Sequence, residues 1–311
     1  MGSTSLRSNI TLHIINYYLK AFIKMKKLIL TTLAAFCLTV SASAQLLYKV
    51  TADSVAKPSY IVATHDLLNP MGYVGAINGL TDAMTNTEQV FFDVDRTAID
   101  AALKEAQQLP AGKTLASLLN DKQIQLLDAF LKKHTEVSWK SPYNQKRYNG
   151  RTPIAVMKDF IQLLFVSSHM GEYDPTHTFA EYFEAQAKKN GEPVGGIIPA
   201  DQYLLLVKSL PVEMQAKGLV KFLEHQDEAL AVIDKSVEAY KAKDMDAASA
   251  ALNSVLGQMG AGSLLAEPVK TMEKTLRDKP TLFALPCYLL GGEQGIISQL
   301  KADGYRVEAV D

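Results

Sequence analysis

An imidazole and a carboxylate stand side by side in "SYIVATHDLLNP", residues 59–70, where His65 and Asp66 follow the apolar run Tyr60–Ala63. At the end of a strand such a pair can help hold a divalent cation or pass a proton. "VFFDVD", residues 90–95, offers related chemistry, because Asp93 and Asp95 flank Val94 at the end of a second apolar run. The catalytic and metal-ligating candidates are therefore His65, Asp66 and Asp93, and Thr64 and Asp95 are candidate binding groups. One imidazole among carboxylates suits manganese, magnesium, calcium or cobalt better than a zinc site of imidazoles and thiolates. Two constraints come with these residues. Side chains alternate along a strand, so His65 and Asp66 face one site only if the chain turns at Asp66. Asp93 serves equally well as a hydrogen-bonded cap at a strand end.

Other chemistries have less behind them. No Gly-x-Ser-x-Gly stretch is present. Cys287 sits in "FALPCYLL", an apolar setting that keeps a thiol protonated. "LGGEQG", residues 290–295, offers backbone amides, but its glycines suit a turn from strand to helix. His134, His169, His177 and His225 lie at helix ends or on helix surfaces and read as structural.

These groups need a scaffold to position them. "LLYKVTA" and "SYIVAT", separated by "DSVAKP", predict a hairpin, and "VFFDVD" predicts a third strand. Helical patterns follow. "DKQIQLLDAFLKK" has Ile124, Leu126, Leu127 and Phe130 at the spacing of one helix face, "TPIAVMKDFIQLLFV" opens with Thr and Pro, and "HTFAEYFEAQAKKNG" stops at Gly191. "EPVGGIIP" reads as a short strand or a loop, and residues 212–244 as one long helix or two. "TLFALPCYLL" and "YRVEAV" predict closing strands around a helix. Strands at both ends with helices between predict an α/β fold, α+β-like, whose mixed central sheet joins the N- and C-terminal strands under an extensive helical layer.

The first 44 residues belong to a different category. "MKKLILTTLAAFCLTVSASAQ" has a basic start, a short apolar stretch and Ala42-Ser43-Ala44 before Gln45, which is the pattern of a secretory signal peptide. Residues 1–24 are read as upstream sequence, 25–44 as the signal peptide and 45–311 as one domain. The expected location is periplasmic or secreted, with no membrane span after cleavage. Removal of residues 1–44 takes away five basic and no acidic residues; 32 Lys and Arg less these five leave 27 against 33 acidic, a net charge of −6 with His neutral. An acidic chain without a basic run argues against nucleic acid as the partner and leaves a protein or peptide ligand.

Several stretches, in order, resemble the TraB/GumN family, which includes the Tiki-type metalloproteases. They are the opening hairpin through "ATHDLL", "VFFDVD", "FAEYFEAQAKKNGEPVGGI", "LPVEMQAKGLVKFLE" and the closing "TLFALPCYLLGGEQGIISQLKADGYRVEAV". The resemblance implies a divalent-metal site built from two Gly-x-x-His motifs and an acidic residue between them. Here the first motif reads Ala63-Thr64-His65-Asp66, with Asp66 at the histidine position, and the second reads Pro286-Cys287-Tyr288-Leu289, with Leu289 there. Asp93 stands at the acidic position. Two functions follow as expectations. One is a non-catalytic, degenerate member that acts by binding; the other is a metal-dependent hydrolase, a peptidase, with a rearranged site.

Overall fold

The computed structural model describes residues 45–174, 176–256 and 266–310. The expected upstream segment and signal peptide, residues 1–44, lie outside the described residues.

β1 (Leu47–Thr51) and β2 (Ser59–Thr64) form the expected antiparallel hairpin, with Leu47 opposite Val62 and Val50 opposite Ser59. β2 is buried at five of its six positions, and β5 (Thr281–Pro286) at all six. Runs without polar alternation belong in the middle of a sheet that is covered on both faces. That is their place among the described residues: the order is β4-β3-β5-β2-β1-β6, with β3 (Gln89–Val94), β4 (Val194–Ile198) and β6 (Arg306–Ala309). β2, β5, β3 and β4 run parallel, while β1 is antiparallel to both β2 and β6. The sheet is mixed and joins strands from both chain ends, as expected for the α/β class. Its four parallel strands finish at one edge, and open α/β sheets bind ligands outside the carboxyl ends of their strands.

Helices supply the rest. In chain order they are α1 (Leu80–Asn86), α2 (Arg96–Ala106), α3 (Asp121–Thr135), α4 (Pro142–Tyr148), α5 (Pro153–Ser168) and α6 (Phe179–Asn190). After β4 come α7 (Ala200–Ser209), α8 (Val212–Glu224), α9 (Gln226–Lys241), α10 (Met245–Leu256), α11 (Ala266–Asp278) and, after β5, α12 (Ile296–Ala302). Local chemistry fixes several ends. Asn120 and Gln123 close a capping box on α3, and Thr178 and Glu181 close one on α6, which Gly191 ends with φ of 71°.

Two apolar clusters result. One surrounds the sheet; the other packs Leu127, Phe130, Tyr148, Phe160 and Leu219 from α3, α4, α5 and α8. α5 belongs to both, through Phe160 in the second and Leu164 and Phe165 in the first. The helix thereby joins the two clusters.

Two ambiguous stretches resolve and one boundary moves. "EPVGGIIP" is a strand, β4. A β-carbon on Gly196 would lie 2.3 Å from the Asp95 backbone nitrogen, so only glycine permits this approach of β4 to the end of β3. The 212–244 run is two helices, broken at His225. The strand expected through Leu290 ends at Pro286, and Cys287–Leu289 form a 3₁₀ turn. Its Tyr288 carbonyl is taken by α10 in place of a neighbouring strand: Ser249 Oγ donates to it at 3.0 Å and Asn253 Nδ2 at 2.9 Å.

Candidate functional site

β2 ends at Thr64, and the chain turns at once, with Leu68 N donating to His65 O at 3.2 Å. The turn sends His65 inward, where it is 2% exposed, and Asp66 outward to solvent. His65 Nδ1 accepts from Leu67 N–H at 3.3 Å. Nε2 must then carry the ring proton, which it donates to Ser236 Oγ at 3.1 Å. The Ser236 hydroxyl passes the polarity on to Ile233 O at 2.7 Å. α9 also delivers Tyr240, whose ring meets His65 edge-on at 5.5 Å and whose hydroxyl donates to Ala63 O at 2.9 Å. Burial pushes the His65 imidazole down to about 4; Asp66 opposes this, and His169 and Lys241 add to it. The ring is neutral at physiological pH, with both nitrogens engaged.

The other candidates distribute along the same edge. Thr64 is buried opposite Pro286 of β5, so His65 and Cys287 each follow directly on a paired residue where the two strands end. The Cys287 thiol is pushed up to about 12 by burial, with the charge of Asp66 acting in the same direction. Leu289, the second motif's end, is packed in the main core. Asp93 is half-buried on β3. Asp95 accepts from Ala98 N at 3.2 Å and so caps α2. His65, Asp66 and Cys287 thus share one neighbourhood. Asp93 lies on β3 and Asp95 just past its end, beyond the intervening β5. Among the described residues no group of three His, Cys, Asp or Glu is placed to hold a metal ion. A three-ligand catalytic centre does not fit this donor set, because the His65 lone pair is taken, Leu289 is aliphatic and Asp95 is committed to a helix cap.

A polar cluster that sequence reasoning missed lies over this edge. His169, just past α5, is stacked on Phe165 with centroids 4.5 Å apart. Its Nε2 is 2.7 Å from Asp234 Oδ1, and its Nδ1 is 3.5 Å from Glu172 Oε1. Glu172 Oε2 is 2.6 Å from Lys241 Nζ, and the Glu172 carbonyl accepts from Asn69 N at 2.8 Å. Burial first, and then the Glu172 carboxylate, pushes the Tyr73 phenol up to about 12. Lys241 in turn holds the Glu172 carboxyl below its ordinary value. These partners are separated by 65 or more residues in sequence for His169–Asp234 and Glu172–Lys241, so no local spacing announces them. Two further histidines fall at surface positions, where His177 pairs with Asp174 at 2.7 Å and His225 with Glu228 at 3.3 Å, while His134 packs on Phe130 with centroids 4.6 Å apart.

A cavity of about 410 Å³ opens at the far end of the sheet, between the β1–β2 turn and the start of β6. Asp53 and Asp303 stand there beside Arg277 and Arg306, which gives it no net charge of either sign.

The family model described as the TraB/PrgY/gumN family matches residues 46–309. Comparison with curated proteins and with solved structures gives no match.

Proposed function

The chain belongs to the TraB/PrgY/gumN family, and we propose that it is an exported member that acts by binding a protein or peptide ligand at the carboxyl edge, without metal-dependent hydrolysis. The observation that carries this reading is the His65 ring. One nitrogen accepts from Leu67 N–H and the other donates to Ser236, so the imidazole works as an internal strut. The binding surface has support beside it. Met71 is 66% exposed and Met170 is 87% exposed, on two segments joined by the Asn69 N to Glu172 O bond. Exposed methionines suit an adaptable peptide-binding surface. No helix among the described residues is long and apolar enough to cross a membrane.

Two measurements test the proposal. Purified protein is expected to show no thermal stabilisation by manganese, cobalt or zinc at low micromolar levels. A cation at about 100 times its dissociation constant would add about 2.7 kcal/mol. One tightly bound equivalent that disappears in His65→Ala would instead establish the alternative, a metal-dependent peptidase with a rearranged site. Export has a separate test: intact mass of the cell-envelope or secreted form is expected to place the mature N-terminus at Gln45, and a form that retains residues 25–44 rejects it.

A further inference from the structure

The cavity at the amino end of the sheet is built from three separate stretches of chain. Asp53 and Ser54 come from the β1–β2 turn, Arg277 from the last turn of α11, and Asp303 and Arg306 from the run that links α12 to β6. The backbone beneath them is fixed. Arg306 is paired with Thr51 in the β1–β6 ladder, Val55 N donates to Ala52 O at 3.0 Å across the turn, and Tyr305 N donates to Leu300 O at 3.0 Å. Buried neighbours in sequence, Leu276 for one arginine and Tyr305 and Val307 for the other, anchor both in the main core. The charged ends are held loosely by comparison. Arg306 Nη2 is 3.5 Å from Asp53 Oδ1 and Arg277 Nη2 is 3.9 Å from Glu273 Oε1, with the arginine side chains 67% and 58% exposed. Ion pairs so long and so hydrated are weak. Both guanidiniums are therefore available to a ligand carboxylate, which matches their planar fork.

We propose that this cavity binds a zwitterion of dipeptide size, its carboxylate on Arg277 and Arg306 and its ammonium on Asp53 and Asp303. Volume and charge together select that ligand. Sites for small molecules begin at about 300 Å³, and about 410 Å³ suits one or two residues and not a longer peptide. Two guanidiniums and two carboxylates line that space. A simple anion gains the arginines and meets both aspartates, and a simple cation meets the reverse. A molecule that carries both charges close together satisfies all four groups, and the same walls discriminate against its singly charged relatives. The site lies at the opposite end of the sheet from the carboxyl edge and does not depend on the binding function proposed there.

Saturation-transfer NMR on the full chain, titrated with alanyl-alanine at pH 7 and low salt, tests the site. Binding is expected with a dissociation constant of about 1 mM or tighter, within reach of a ligand this small. Acetyl-alanyl-alanine lacks the ammonium and alanyl-alanine amide lacks the carboxylate. Each is expected to bind about tenfold more weakly, the loss of one charge-assisted contact. Arg277→Gln combined with Arg306→Gln is expected to weaken the dipeptide about tenfold and to abolish its advantage over the amide, while its advantage over the acetylated form remains. Asp53→Asn combined with Asp303→Asn is expected to do the reverse. All four side chains are exposed, so both double variants are expected to keep the parent's melting temperature. The analogue series on the parent needs no variant and decides by itself where a double variant unfolds. No transfer at about 10 mM dipeptide overturns the site, as does binding no tighter than that of the two blocked forms. Binding that survives both double variants unchanged also overturns it. Acetate that binds as well as the dipeptide would make this an anion site and overturn the zwitterion. Each of these results leaves the carboxyl-edge function as it stands, and metal binding in the earlier test would leave this site as it stands.

Discussion

Tyr240→Ala is expected to cost the fold about 3–5 kcal/mol, the range for removing a large buried aromatic side chain. The residue is fully buried and joins three things. Its ring packs edge-on against His65, Tyr73 and Phe179 at centroid distances of 5.5, 5.7 and 6.1 Å. Its hydroxyl bonds Ala63 O at 2.9 Å and so ties α9 to the end of β2. Alanine would leave a cavity beneath Tyr73 and an unpartnered edge on the His65 ring. Tyr240→Phe keeps the ring and loses only the hydroxyl bond, and is expected to cost about 1 kcal/mol. Urea unfolding at pH 7 checks both, with midpoints that move and slopes that do not. Equal losses in the two variants would mean that the hydroxyl bond, and not the packed ring, is what joins α9 to the sheet.

The sheet was legible because burial on both faces leaves a mark in the sequence. "SYIVAT" and "TLFALP" are nearly free of polar alternation, and they are inner strands of the sheet whose side chains are buried on both faces. The helix stop at Gly191 was legible for a different reason, since caps are made by residues within one turn of each other. The end of β5 was not. It depends on Ser249 and Asn253 reaching the Tyr288 carbonyl, and no pattern within "TLFALPCYLL" encodes an acceptor being taken from 35 or more residues away. β4 was half legible. Its two glycines weaken the strand signal, yet Gly196 is required by the backbone of Asp95 pressing on it.

The site divides the same way. That His65 and Asp66 would part follows from strand alternation, and the turn after Thr64 leaves them on opposite sides, His65 buried and Asp66 exposed. What the His65 ring would meet did not follow. Ser236 lies 171 residues away, one hydroxyl on the buried face that α9 forms with Ile233, Val237 and Tyr240. Asp95 was taken as a binding group, and its carboxylate caps α2, a role that needs only the local run to Ala98 and was within reach of the sequence. The Glu172 cluster lay beyond it. His169, Glu172, Asp234 and Lys241 are each ordinary helix-end or helix-surface residues, and only the packing of α5 against α9 makes them neighbours.

Acid is expected to weaken this protein across a window set by His65. Its imidazole titrates ordinarily at 6.5 and, desolvated in the fold, is pushed down to about 4. Below pH 6.5 the unfolded chain takes up a proton there that the folded chain refuses until about pH 4. Stability therefore falls as pH drops through that window, is fully present above it and levels off beneath it. Integrated over the window, the loss is on the order of 3 kcal/mol. Other depressed groups act lower on the scale. Asp128, hydrogen-bonded by Lys132 and Ser138, is held at about 2, so its loss follows after that of His65. His65→Gln separates the two, because an amide can accept from Leu67 N–H and donate to Ser236 without titrating. The variant is expected to be less stable than the parent at pH 7, from imperfect packing, and to keep nearly the same stability down to pH 4.5. Urea unfolding at half-unit steps from pH 7 to pH 4 reads this directly. A parent curve that stays flat, or a variant that falls as steeply as the parent, would mean that the His65 ring takes up its proton within the fold. Its Nδ1 would then be free to part from Leu67 N–H, and the imidazole would no longer be the fixed neutral strut on which the binding function rests.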